Sequence, residues 1–316
     1  MEGKTGKPEK YYGTLVSLFV CVMTVIILIN NGNNCAFSNV ELNKTLFELQ
    51  NEVDGIRAQY EEIDNKCLEA QKRLEEYEDI NSNLEKVRSE FFEEASVLEN
   101  MVLNGETDKK IAYLTFDDGP YLKSMQFLDV LEEYDVPATF FYLMKCTETG
   151  YTEENDAYDA IYRRIIESGH TLGNHTATHK LGKNSVYSTV EGFKADIEKN
   201  REFIYNRYGY TTDVMRFPGG SDTSYKIPVI IPILVEMGYG YVDWNCETGD
   251  GMRVLSAEEY RDNVLNNLEG KNIVVVLMHD YSANTLVALP EIIEGMAEKG
   301  YVFLPLFNGS VMCKKE

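Results

Sequence analysis

The sequence predicts an α/β domain of seven strands, set behind a membrane-spanning helix and a long helical spacer. Three observations carry this reading. Seven short apolar or β-branched runs alternate with amphipathic stretches over the last two thirds of the chain. An apolar run lies close to the N-terminus, and between these regions a repeat of apolar residues extends with almost no Gly or Pro.

Residues 1–13 contain Lys4, Lys7 and Lys10 and read as a cytoplasmic tail. The stretch from Leu15 to Ile29 is apolar, and with its flanks it predicts a transmembrane helix over residues 14–30. By the positive-inside rule the N-terminus stays in the cytoplasm and everything after Asn30 lies outside the cell. No small-x-small cleavage site follows, and Cys35 lacks the small apolar residues that precede a lipidated cysteine. The segment therefore reads as an uncleaved single-pass anchor of the cell membrane rather than a signal peptide.

Residues 31–104 form the spacer. Leu42, Leu46, Leu49, Val53, Ile56, Tyr60, Ile63, Cys67, Ala70, Leu74 and Tyr77 recur at alternating steps of four and three, which is a heptad seam. Ile80, Leu84, Val87, Phe91 and Leu98 continue it after a three-residue slip. If helical throughout, about 60 residues at 1.5 Å each reach roughly 90 Å. A coiled coil here implies a homodimer or a fold-back onto a partner; the other reading is a single amphipathic helix lying along the domain that follows. Asn104 to Asp108 then mark the change to a catalytic domain over residues 105–316, long enough to bury a large core.

Within that domain the seven strands are expected at about 111–116, 138–144, 171–173, 213–217, 239–245, 273–278 and 301–305. The formal net charge of −22 excludes nucleic acid as a partner held by charge, whereas a neutral glycan is compatible with it. Cysteines 21, 35, 67, 146, 246 and 313 form neither a metal-ligand cluster nor a spaced disulfide framework.

The chemistry is concentrated at strand ends. The chain has four histidines; three fall in His175-Thr-Ala-Thr-His179 and Leu277-Met-His-Asp280, while His170 lies just upstream of the first string. A single helical turn or a tight loop would aim His175 and His179 at one ion. Thr115-Phe-Asp-Asp-Gly-Pro120 ends an apolar run with Asp117 and Asp118, of which one can bind metal while the other works as a base. Each string alone has a bland explanation as a solvated turn or a satisfied buried histidine. Their co-occurrence at predicted strand ends, in a histidine-poor chain, points to one metal-assisted site.

In order, Thr-Phe-Asp-Asp-Gly at 115–119, His-Thr-x-x-His at 175–179, Arg-Phe-Pro-Gly-Gly at 216–220 and Leu-x-His at 277–279 resemble the signatures of the polysaccharide deacetylases of carbohydrate esterase family 4, the NodB homology domain. The resemblance covers roughly Lys109 to Pro305. It implies a distorted (β/α)7 barrel with the site at the strand C-terminal ends. It also implies that Asp118, His175 and His179 hold one divalent metal ion, zinc first and cobalt or manganese otherwise. Asp117 becomes the general base and His279 the general acid. Arg216 sits beside Asp117, Gly219 offers a backbone N–H to the oxyanion, and Leu277 lines the acetyl pocket.

Two motifs depart from the family pattern. Many relatives carry Arg-Pro-Pro followed by an aromatic where this chain has Arg-Phe-Pro-Gly-Gly, so the glycan platform differs. The acid that orients His279 is not legible: Asp243, Glu247 and Asp250 all lie in the segment from Tyr241 to Gly251, where Trp244, the only tryptophan, either stacks on sugar or fills the core.

The function expected is metal-dependent hydrolysis of N-acetyl groups from a cell-wall polysaccharide, with peptidoglycan N-acetylglucosamine as substrate. N-Acetylmuramic acid, poly-N-acetylglucosamine and chitooligosaccharides are the alternatives within the class. Outside it stand a catalytically silent glycan-binding membrane scaffold and, from the Asp and two His alone, a facial-triad iron oxygenase. The additional Asp117 and His279 suit hydrolysis.

Overall fold

β1 (Lys110–Asp117) is the strand around which the catalytic region is organised, and seven of its eight residues are buried. The structure is a computed structural model describing residues 39–145 and 153–314. The expected cytoplasmic tail and transmembrane helix lie outside the described residues, and among those described no helix is long and apolar enough to cross a membrane. The chain divides into two units, Met1–Glu75 and Glu76–Glu316.

The spacer is one helix, α1 (Asn39–Leu103). Within the second unit its final turns pack on the catalytic region. Ala95, Glu99 and Val102, at helical spacing, are buried, and Phe92 stacks on Phe307 with ring centroids 4.5 Å apart. The Glu99 carboxylate accepts from the Tyr113 hydroxyl and from Val311 N at 3.2 Å. Leu98, which the heptad assigns to a helix partner, packs against this same cluster. That is a correction to the seam at its C-terminal end: hydrophobic spacing names an apolar face but not what covers it.

After β1 come α2 (Ser124–Glu133), β2 (Thr139–Tyr142), α3 (Glu153–Glu167), β3 (Thr171–Asn174), α4 (Val190–Tyr208), β4 (Val214–Met215), α5 (Ile227–Glu236) and β5 (Gly240–Tyr241). β6 (Cys246–Glu247), α6 (Ala257–Leu265), β7 (Ile273–His279), α7 (Ala283–Glu298) and β8 (Tyr301–Phe303) complete the order. All strand pairings are parallel, and the order is β5-β4-β3-β2-β1-β7-β6. β7 lines one edge of β1, while β8 pairs with its first three residues and β2 with its last three. Parallel strands joined by helices place every strand C-terminus at one end, as the expected (β/α)7 barrel requires.

Alternation along β1 separates two cores. Ala112, Leu114 and Phe116 face the cluster beneath the helices, whereas Ile111 and Tyr113 join Phe141, Val214, Val242 and Val275 in a second cluster closed by Ala95 and Val102.

Among the described residues eight strands form, not seven. The run expected at 239–245 is cut after Tyr241 and resumes as β6 at Cys246. Polar side chains between them are occupied elsewhere: Asp243 accepts from Ser221, and Asn245 bonds to Ile273 O and Val275 N. The strand expected at 213–217 shortens to two residues, because Arg216 and Phe217 lead into the Pro218 turn.

Candidate active site

Asp117 and Asp118 are consecutive, so in a continuing strand their side chains would face opposite ways. The chain instead turns at Asp118, whose φ of 71° lies in the left-handed region, and both carboxylates approach His175. Parallel register brings the remaining groups to the same level, since Asp117 pairs with His279 on β7 and with Phe141 on β2.

His175 follows β3 and His179 lies in a tight loop rather than a helical turn. Thr176 and His179 both have positive φ, and the loop is held by Asp196 of α4, which accepts from Ala177 N and Thr178 N at 3.0 Å each. The two imidazole centroids are 4.7 Å apart. Asp118 Oδ1 is 3.5 Å from His175 Nε2 and 3.3 Å from His179 Nε2. Ligands held about 2.1 Å from a tetrahedral ion stand about 3.4 Å apart, so the donor set fits one ion.

Two further observations support that fit. Asp118 Oδ1 is buried without a hydrogen-bond partner among the described residues. His175 Nδ1 lies 2.8 Å from Arg216 O, which as the N–H tautomer leaves the Nε2 lone pair free for a metal. Burial alone would raise the Asp118 pKa, but the imidazoles of His175, His179 and His279 around it hold it well below the usual carboxylate range.

Arg216 is fully buried at the end of β4. Its Nη1 donates to Asp117 Oδ1 at 2.9 Å and to Thr115 Oγ1 at 2.7 Å, and its Nε donates to Val242 O at 3.1 Å. The guanidinium lies over Phe141, 4.4 Å from the ring centroid. Burial lowers its pKa, and the Asp117 charge opposes that.

Of the three acids left open for His279, Asp250 is the partner. Its Oδ1 is 2.8 Å from His279 Nδ1, and its Oδ2 accepts from His279 N at 2.9 Å and from Thr285 Oγ1 at 2.7 Å. Asp243 instead accepts from Ser221 and Lys314, and Glu247 from Trp244 Nε1. Burial would depress the His279 pKa. The hydrogen bond that His279 donates to Asp250 and the charges of Asp117, Asp250 and Asp118 outweigh it and raise the pKa to about 9. His279 Nε2 faces Asp118 Oδ2 at 3.8 Å.

Gly219 has φ 78° and Gly220 φ 93°, so this turn suits glycine; a Cβ on Gly220 would meet the Trp244 ring at 3.2 Å. Trp244 is partly buried and packs against the inner cluster. Leu277, two residues before His279 on β7, points the same way along the strand and is 8% exposed. His170, by contrast, stands before β3 and far from the strand C-termini. Its Nδ1 accepts from Ala138 N at 3.1 Å, and burial, with Arg164 nearby, lowers its pKa to about 4.

Sequence reasoning missed three supporting residues. Thr115 accepts from Arg216 and donates to Val276 O, Thr285 supports Asp250, and Gly251 gives His279 room, since a Cβ there would meet the ring at 2.7 Å. A threonine inside an apolar strand was the one legible signal among them.

A family model described as polysaccharide deacetylase matches residues 104–242. A putative polysaccharide deacetylase, YheN, of Bacillus subtilis is 34% identical over 61% of this chain and 66% of its own length. A peptidoglycan-N-acetylglucosamine deacetylase of Bacillus cereus is 32% identical over 63% of this chain and 70% of its own length. Among solved structures, the catalytic domain of peptidoglycan N-acetylglucosamine deacetylase from Eubacterium rectale superposes with a TM-score of 0.58 at 33% identity, covering 66% of this chain and 93% of that one. The chain belongs to the polysaccharide deacetylase family, carbohydrate esterase family 4, and is a hydrolase of that class.

Proposed function

We propose that the enzyme removes the acetyl group from N-acetylglucosamine residues of peptidoglycan by hydrolysis. The observation that carries the proposal is that Asp117 and His279, which we read as base and acid, are register partners beside the Asp118, His175 and His179 cluster. The relatives named above favour peptidoglycan as the polymer. A divalent ion held by those three residues, zinc in our reading, would supply Lewis acidity for acyl transfer to water.

Asp117 takes the proton of the attacking water. Arg216 fixes its Oδ1, leaving Oδ2 turned toward the cluster, 3.7 Å from His175 Nε2. The water oxygen bonds to the acetyl carbon, and the Gly219 backbone N–H faces the oxygen on which charge develops, an interaction worth about 3 kcal/mol in acyl-transfer enzymes. His279, held by Asp250 so that Nε2 points inward, gives its proton to the departing nitrogen. The carbon–nitrogen bond breaks, and acetate and a free sugar amine are the products. Leu277 packs against the acetyl methyl.

We further propose a cell-membrane anchor at residues 14–30 with the catalytic domain outside the cell, and pairing of two copies through the spacer seam. The basic residues before the apolar run and the heptad repeat support these. The function is tested by acetate release from peptidoglycan with zinc, with cobalt and with a chelator. Release that the chelator abolishes and Asp117→Asn removes is expected; glycan binding without acetate release favours the silent scaffold.

A further inference from the structure

Among the described residues, one cation stands at the rim of the site without an acceptor. Lys145 lies three residues past β2, and the loop it follows is tied to the loop after β1 by the bond from Leu143 N to Gly119 O at 3.0 Å. Its Nζ lies 3.4 Å from the centroid of the Tyr121 ring, and the residue is half-buried. No hydrogen bond or ion pair engages it among the described residues. An ammonium carries three donors, and leaving them unsatisfied while partly desolvated is costly.

The surroundings explain why it stays there. Asp280 is fully buried, with Oδ2 accepting from the Ser124 and Tyr142 hydroxyls and Oδ1 unpartnered. Asp280 and Asp118 attract Lys145 from a distance, while burial pushes its pKa down. Neither carboxylate forms an ion pair with it. In a chain of net charge −22, a half-dry cation at the mouth of the site is positioned for an incoming anion.

The aromatic neighbours connect this cation to the acid. Tyr121 meets Tyr281 edge to face at 5.4 Å, and Tyr281 lies 5.2 Å from the His279 ring. Lys145, Tyr121, Tyr281 and His279 thus form a row along the rim. A sugar whose nitrogen took its proton at His279 would have its ring beside the tyrosines, with the substituents of the neighbouring sugar directed toward Lys145. This also supplies apolar faces in a chain that lacks the aromatic after Arg-x-Pro.

We propose that Lys145 and the Tyr121–Tyr281 pair form a subsite for a carboxylate on the sugar next to the one being deacetylated, making the enzyme selective for acidic glycans. The inference rests on the hydrolytic reading above and adds a substrate feature to it. A charge-assisted bond at a half-buried site is worth about tenfold in affinity.

The test uses the full chain loaded with zinc and three soluble glycans of equal length. These are a chitooligosaccharide, peptide-free peptidoglycan glycan with free lactyl carboxylates, and that same glycan methyl-esterified. The unsubstituted enzyme is expected to favour the free acid over its ester by about tenfold in kcat/KM, through KM, with the preference shrinking as salt rises. In Lys145→Met the ratio is expected to fall to about one, and in Lys145→Arg to recover in part. A ratio that is the same in the enzyme and in Lys145→Met overturns the subsite while leaving hydrolysis intact. No acetate from any of the three glycans overturns the hydrolytic reading itself and the subsite with it.

Discussion

Replacing Asp250 by asparagine isolates the charge that keeps His279 protonated. Asp250 faces both Nδ1 and the backbone N–H of His279, and it is among the causes that raise the imidazole from an ordinary 6.5 to about 9. That gap corresponds to about 3 kcal/mol in favour of the imidazolium. The side chain is only 12% exposed, so little of this is lost to solvent screening. The sign follows from the direction: a raised pKa keeps the acid form below pH 9 and loses it as pH rises through that value. At pH 8 a group of pKa about 9 is about nine-tenths protonated, whereas one of pKa 6.5 is about 3% protonated, a ratio of about 30. Were Asp250 the whole cause, Asp250→Asn would cost about 30-fold in kcat/KM at pH 8; with Asp117 and Asp118 still in place the expected loss is about 10-fold at pH 8 and less than about twofold at pH 6. A bound cation would lower the limb in both proteins, so the displacement between them is the quantity to measure. The assay is acetate release across pH 5.5 to 10, expressed as the basic limb of kcat/KM. Coincident basic limbs in the two proteins would refute the assignment of His279 as an acid poised by Asp250.

Metal content should separate ligands from base: His175→Ala and Asp118→Ala are expected to lose zinc by elemental analysis. Asp117→Asn should retain it while losing about 10²–10⁴-fold in turnover. Arg216→Met strands the buried Asp117 carboxylate and should lower stability by about 3–5 kcal/mol in denaturant, with a smaller additional loss when Asp117→Asn is already present. His170 has a folded pKa of about 4 against 6.5, so its contribution is complete above pH 6.5 and is lost as pH falls toward 4. The denaturation midpoint of His170→Asn should therefore fall less between pH 7 and 4 than that of the unsubstituted chain, by an amount equivalent to about 3 kcal/mol.

The convergence of Asp117, Asp118, His175, His179 and His279 was legible because these residues punctuate apolar runs. Asp117 and His279 terminate strands whose hydrophobicity alone locates them, and parallel pairing turns two distant strand ends into neighbours. What aims the groups was not legible. The left-handed φ falls on Asp118 and not on the Gly119 that marks the turn, and three acids between residues 243 and 250 look alike until the chain path after β6 brings Asp250 beside His279. The interruption of the strand expected at 239–245 arises from side-chain bonds of Asp243 and Asn245, which are tertiary events. The apolar stripe of the spacer was visible, but its last turns bury Ala95 and Val102 in the inner cluster, a partner that periodicity does not identify.

The most direct measurement is mass spectrometry of muropeptides released from peptidoglycan after incubation with the zinc-loaded full chain and with Asp117→Asn. Fragments that have lost an acetyl group from glucosamine while muramic acid keeps its own are expected with the unsubstituted enzyme, and no such loss with Asp117→Asn. Loss from muramic acid alone, or equal loss with both proteins, would contradict the proposed function.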